Sequence, residues 1–201
     1  RHMSKPTVAA MRSFKRLGRY LLHAPRLVLE FPWTKELSQE LTCDTDADFA
    51  GCKTTRKSSS GFAANLGPYP IKFTSKSQSV VSLSTSESEF YALVGCTSCG
   101  LGLVQLAKDL GIVLKLGCRS DATSTIVMAT RQGLGKAKHI ATGFLWVQSI
   151  FRSKRASLRK VGTNDNKADL GTKPLSAEKV RALSLLFGCR FCTGRHPLAL
   201  D

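Results

Sequence analysis

Apolar positions recur at two different periods along the chain, and each change of period marks a new element. Over "VAAMRSFKRLGRYLLHAP", Met11, Phe14, Leu17 and Leu21 repeat at helical spacing with basic residues between them. That predicts an amphipathic helix, ended by Pro25. "LVLEFPW" reads as a short extended piece. In "ELTCDTDADFA" the period becomes two: Leu41, Cys43, Thr45, Ala47 and Phe49 share one strand face, and Asp44, Asp46 and Asp48 share the other. A polar turn, "GCKTTRKSSSG", leads to two further strands, "GFAANLG" and "YPIKFTSK", around the turn signal Gly67-Pro68. Three successive strands predict an antiparallel meander.

The period then lengthens. "SLSTSESEFYALVGCTSCGLGLVQLAKDLG" places Phe90, Leu93, Val94, Thr97, Leu101 and Val104 on one helical stripe. Ser84-x-x-Glu87 is a capping box, in which the Glu side chain returns to the N-cap amide. Gly100 and Gly102 each cost roughly 1 kcal/mol relative to Ala in a helix interior, so a kink or weak middle is expected. "LKLGCRSD" follows as a strand and "ATSTIVMATRQ" as a short helix. A Gly/Lys loop, "GLGKAKH", leads to a helix over "ATGFLWVQSIFRS" and a last strand, "ASLRKVGT". "NKADLGTKPLSAEKVRALSLLFG" supplies short helical pieces broken at Pro174. The order β-β-β-α-β-α-α-β-α predicts an α/β domain. Its first strands pair antiparallel, and the later ones, each reached across a helix, join the same sheet in parallel.

Charge narrows the partner. The 201 residues carry 30 Lys+Arg against 14 Asp+Glu, a net charge of +16, and the basic residues are spread along the chain rather than gathered in a tail. A polyanion, nucleic acid above all, fits such a surface. No run approaches the roughly 18 apolar residues of a membrane span. The first residues lack a signal-peptide core, and opening on Arg1 is what a fragment of a longer chain would do. Seven Cys, an odd number, several in apolar surroundings, favour a reducing compartment. "CTSC" and "CRFC" bring zinc to mind, but the pairs are far apart and the four-ligand spacing is wrong.

In so basic a chain the acids are informative. Asp121 ends the fourth strand of the domain, where open α/β sheets gather ligands, although an Asp before "ATSTIV" is also a good N-cap. Asp169 opens a helical piece, where the dipole favours an anion whatever its role. Glu87 is accounted for by its capping box. Glu89 is not: it lies beside Phe90 on the buried stripe, and no Lys or Arg stands three or four residues away on the helix. A carboxylate at a core edge needs a partner, and a cation from outside the helix is the natural supply. Together the Asp row, Glu89, Asp121 and Asp169 form a set of hard oxygen ligands suited to Mg²⁺ or Mn²⁺. Two such ions about 4 Å apart clamp the attacking and leaving oxygens of an in-line phosphodiester displacement, with water as nucleophile.

These segments also carry a family resemblance. "DTDADFAGCKTTRKSSSGF", "SKSQSVVSLSTSESEFYAL", "CRSDATSTI", "KAKHI" and "NKADLGTKPL" resemble, in order and spacing, five motifs of the ribonuclease H domain of copia-type retrotransposon Pol polyproteins, over roughly Leu41 to Gly188. "RSFKRLGRYLLHAP" resembles the segment that connects reverse transcriptase to that domain. The resemblance implies a ribonuclease H-like fold, a five-stranded mixed sheet flanked by helices, and a two-Mg²⁺ endonuclease, Mn²⁺ also serving, that cuts the RNA strand of an RNA–DNA hybrid. It implies Asp46, Glu89, Asp121 and Asp169 as catalytic metal ligands, Asp48 as a supporting neighbour, and Asp44 as a solvated one. Lys53, Arg56, Lys57, Lys136, Lys138 and His139 become candidates for contact with the nucleic acid. For His139 a structural or phosphate-contacting role outweighs proton transfer.

The implied organisation is a connection helix and linker over 1–38, the ribonuclease H-like domain over 39–188 and a tail over 189–201. The implied partners are the hybrid and the reverse transcriptase and integrase regions of a parent polyprotein, with no membrane and no small-molecule cofactor. The implied location is a cytoplasmic virus-like particle or the nucleus. Supporting positions depart from the family pattern: Asp44 stands for an aromatic, Ala141 for an Asp, Gly171 for an apolar residue, and the Glu and Trp expected late in the long helix are missing around Ser98 to Gly102. The alternative to an active nuclease is therefore a catalytically inactive, nucleic-acid-binding remnant.

Overall fold

The computed structural model of the chain describes residues 6–23, 26–133, 135 and 138–194. It divides into two compact units, residues 31–188 and the two ends, 1–30 with 189–201. In the unit of the ends, helix α1 (Val8–His23) is the amphipathic helix the spacing predicts, and none of its residues is buried. Thr7 starts it, its hydroxyl accepting from the Ala10 amide at 3.1 Å. The expected stop at Pro25 lies outside the described residues. β1 (Arg26–Leu29) pairs antiparallel with β7 (Cys189–Cys192), with Leu29 opposite Cys189 and Arg26 opposite Cys192. The segment read from sequence as a tail thus begins with a strand. Four residues are too few to show an alternation of their own, so only the pairing reveals it.

The unit of residues 31–188 holds the mixed five-stranded sheet. Its strands are β2 (Glu40–Ala47), β3 (Ser59–Leu66), β4 (Tyr69–Ser77), β5 (Lys115–Ser120) and β6 (Ser157–Lys160), in spatial order β4-β3-β2-β5-β6. The first three form the antiparallel meander, and β5 and β6 join in parallel across helical crossovers, as the order of elements predicts. The crossovers are α2 (Thr85–Asp109) and, beyond β5, α3 (Thr123–Thr130), a 3-10 turn Thr142–Leu145 and α4 (Trp146–Arg152). A 3-10 turn Lys167–Gly171 and α5 (Ala177–Phe187) complete the unit.

β2 is the centre of this sheet and is covered on both faces. On one side α2 lays Phe90, Leu93, Val94 and Thr97 against Leu41, Cys43, Phe62, Leu116 and Cys118, and α4 extends that core with Val147 and Ile150. α2 runs unbroken through both glycines. A Cβ on Gly100 would lie 2.6 Å from Leu116 Cδ1, so the missing side chain lets the helix pack tightly on the sheet there. Length and composition alone would let α2 cross a bilayer, yet here it is a core helix carrying buried Glu87 and Glu89. On the other side lies the Lys167–Gly171 turn. A Cβ on Gly61, the residue of β3 opposite Asp46, would lie 2.5 Å from the Ala168 carbonyl oxygen. The missing side chain lets that turn press onto the sheet beside Asp46.

Candidate metal centre

Four elements bring four carboxyl groups to one place. Asp46 stands near the end of β2 and Asp121 just beyond the end of β5, its parallel neighbour. Asp169 comes down from the Lys167–Gly171 turn, and carboxylate oxygens of these three lie within 4.8 Å of one another. Glu89 projects from the first turns of α2 and lies close enough to feel the charge of both Asp46 and Asp121. Asp46 and Asp169 are wholly buried and Glu89 is 5% exposed. Asp121 is not the cap of α3, for Ala122 holds that position without a side-chain bond. Its carboxylate instead accepts from Asn166 Nδ2 at 3.3 Å, and the same amide group donates to Thr45 O at 3.0 Å.

The cluster carries its own counter-ions. Lys173 Nζ lies 2.9 Å from Asp46 and 2.9 Å from Asp169, and Lys179 Nζ lies 3.1 Å from the other Asp169 oxygen. The Thr172 hydroxyl donates to Asp46. Thr172, Lys173, Lys179 and Asn166 were not singled out from sequence. The available signal was position: Lys173 stands four residues after Asp169, one turn along if the helix continues. Two ammonium groups face four carboxyls, and the imbalance falls on Glu89. Burial, then repulsion by Asp46 and Asp121, pushes its carboxyl up to about 9. Burial also raises Asp46, against the pull of Thr172 and Lys173. Bonds to the two carboxylates raise Lys173 despite its burial.

A divalent cation suits this donor set. The oxygens are hard ligands, and Glu89 Oε2 is buried without a hydrogen-bond partner, which is costly unless a cation takes it. Asp46, Asp121 and Asp169, with Glu89 beside them, are the residues that would hold it.

The remaining candidates fall elsewhere. Asp48 is not in the cluster: its carboxylate accepts from the Ser59 amide and closes the β2–β3 connection. Asp44, expected to be solvated, is wholly buried. It faces Arg119, its cross-strand partner on β5, which grips it through two bonds of 2.6 and 2.9 Å, and Lys167 Nζ lies 3.5 Å away. The correction has a simple cause: a carboxylate on a doubly covered central strand has no solvent to face, so it is paired. Burial lowers the Lys167 pKa even beside Asp44.

Glu87 does more than cap. Its backbone amide donates to Ser84 Oγ at 3.2 Å, but its carboxylate reaches the Leu83 amide rather than that of Ser84. It also accepts from Tyr91 OH at 2.6 Å and meets His139 Nε2 at 2.9 Å. Those bonds outweigh burial and hold its pKa below the usual range. His139 is thereby placed against the start of α2. Lys53, Arg56 and Lys138 are exposed, Lys57 donates to the Ser79 carbonyl at 2.7 Å, and Lys136 lies outside the described residues. Among the described residues no group of Cys or His offers a metal site.

No family model matches the chain. It is 31% identical over 178 residues to the retrovirus-related Pol polyprotein from transposon RE1 of Arabidopsis thaliana, a match that covers 87% of this chain and 12% of that polyprotein. It is 30% identical over 148 residues to the corresponding polyprotein from transposon TNT 1-94 of Nicotiana tabacum, covering 72% of this chain and 11% of that one. Among solved structures it is similar to LC11-RNase H1 in complex with RNA/DNA hybrid. That likeness has 12% identity and a TM-score of 0.45, over 66% of this chain and 93% of the other.

Proposed function

The chain is a homologue of one segment of the Pol polyproteins of copia-type transposons, and on that premise we propose that it is a metal-dependent ribonuclease H that hydrolyses the RNA strand of RNA–DNA hybrids. The observation that carries this reading is the convergence of Asp46, Asp121 and Asp169 to within 4.8 Å, with Glu89 against them, in a chain of net charge +16. Asp46, Asp121 and Asp169, with Glu89 beside them, would hold Mg²⁺, which would supply Lewis-acid stabilisation of the phosphodiester and activate the attacking water. The chain's own residues do the rest. Thr172 orients the Asp46 carboxylate, Lys173 bridges Asp46 and Asp169, and Lys179 holds the other Asp169 oxygen, so these carboxylates are held together before a substrate arrives. No Ser, Cys or His nucleophile is needed.

The hybrid is bound through its backbone, by exposed Lys and Arg side chains on the phosphates, and 2′-hydroxyls identify the RNA strand. The direct test is a cleavage assay on a labelled hybrid. Cleavage is expected with Mg²⁺ or Mn²⁺, none in EDTA, and none for Asp46→Asn. Hybrid binding without turnover in either metal leaves the inactive remnant as the function. Cleavage that survives both EDTA and Asp46→Asn excludes the mechanism.

A further inference from the structure

A second polar site adjoins the carboxyl cluster and has the opposite charge. Two residues before Asp46, Asp121 and Asp169 stand Asp44, Arg119 and Lys167. Asp44 and Arg119 are cross-strand partners on β2 and β5, and Lys167 opens the turn that carries Asp169, its ammonium 3.5 Å from Asp44. The elements that build the acidic centre thus also bring two cations together beside it. Arg119 and Lys167 share a single carboxylate, Asp44, so one positive charge is left over between them. Lys167 is 6% exposed, and its remaining polar contact is the neutral Asn65 Oδ1 at 2.6 Å.

This excess charge opens into a pocket of about 360 Å³ between the ends of β5 and β6, the segment leading into the Lys167–Gly171 turn, and α5. Arg119, Lys167 and Lys160 line it, with Val161 and Leu186 as apolar wall and Asp165 as its acidic member. Lys160 brings a third cation from β6 and is exposed. We propose that this pocket, built by Arg119, Lys160 and Lys167 beside the carboxyl cluster, is a phosphate-binding site. A tetrahedral anion suits it because Arg119 already spends two donors on Asp44 and keeps further N–H groups, while two ammonium groups supply point charges. The phosphate has two sources, the backbone of a bound nucleic acid or a free phosphate group.

The site stands independently of the nuclease reading, and its test contains no cleavage step. Inorganic phosphate is titrated into the full chain in EDTA, and backbone amides of residues 159–168 are followed by NMR. Saturable shifts in this segment are expected, lost in Lys160→Ala, an exposed change that leaves the Arg119–Asp44 pair intact. A parallel measurement follows the salt dependence of hybrid affinity in EDTA. If the backbone occupies the pocket, Lys160→Ala lowers the log–log slope by about 1. If the slope is unchanged while the phosphate shifts are lost, the pocket takes free phosphate, and the proposal holds with that source. Absence of saturable shifts in the parent chain, or the same shifts in Lys160→Ala, overturns it. A chain that binds phosphate here but never cuts a hybrid would fail the nuclease reading alone.

Discussion

At the scale of single residues, Asp44 and Asp46 show how one strand face separates two kinds of carboxylate. Both are wholly buried, yet Asp44 is gripped by Arg119 and Lys167 with no other acid beside it among the described residues, whereas Asp46 shares Lys173 with Asp169 and stands among other acids. Removing one partner of a buried ion pair strands the other, at a cost of about 3 kcal/mol or more. Asp44→Ala is therefore expected to lower the urea midpoint by that equivalent, while Asp46→Asn costs less, because Lys173 keeps Asp169 as its partner and the repulsion among the acids falls. Glu89 makes a second prediction. Its folded pKa of about 9 lies above the 4.5 of an ordinary Glu. Between those values the unfolded chain has released the proton and the folded chain still holds it, so metal-free stability falls as pH rises. The slope is at most about 1.4 kcal/mol per pH unit. Glu89→Gln should flatten that slope in pH-dependent denaturation. Mg²⁺ binding in the same window should expel up to about one proton per site, read by calorimetry in buffers of different ionisation heat, and the release should vanish above about pH 10. The positions of these acids were legible in the sequence, because acids are scarce in it and stand at element ends. Their partners were not. Arg119 is 75 residues from Asp44, and Lys173 is 127 from Asp46. Only the sheet register and the returning turn decide which acid is paired and which is left for a metal.

At the scale of elements, the periodicities gave the meander, the long helix and the parallel crossovers, since each has enough residues for its period to show. What they could not give was how closely elements approach. Gly100 and Gly102 look alike in the sequence of α2, each a cost to the helix. In the fold a Cβ on Gly102 meets nothing within 4 Å, whereas one on Gly100 enters the packed core at Leu116 and Cys43. Gly61 on β3 matters most for the site. It faces Asp46 across the ladder, and the turn carrying Asp169 rests on it. In Gly61→Ala the added methyl meets a backbone carbonyl, which cannot rotate aside as a side-chain end can, so the turn must lift. The expected cost is 1–3 kcal/mol, about that of overpacking a core. Mn²⁺ affinity, followed by electron paramagnetic resonance, should fall at the same time, because Asp169 is carried away from Asp46. A purely local strain would lower stability and leave the affinity unchanged, and that result would separate the turn from the metal centre.

At the scale of the whole molecule, the charge is divided between interior and surface. Among the described residues five acids, Asp44, Asp46, Glu87, Glu89 and Asp169, are buried, and Lys167 is the one buried base. The solvent therefore meets a surface more basic than +16 suggests, one that attracts polyanions of any sequence. The logarithm of hybrid affinity in EDTA should then fall linearly with the logarithm of salt, with a slope of about −0.9 for each phosphate neutralised, and should not change when the base sequence is scrambled. The candidate contacts divide in such an experiment. Lys53 and Arg56 are exposed on the β2–β3 connection, so Lys53→Ala or Arg56→Ala should reduce the slope by about 1 each and leave the melting temperature unchanged. Lys57 holds the Ser79 carbonyl, so Lys57→Ala should lower the melting temperature whether or not it touches a phosphate. A slope that none of these changes moves would place the hybrid on another face, and the basic pocket beside β6 would then be the first place to look for it.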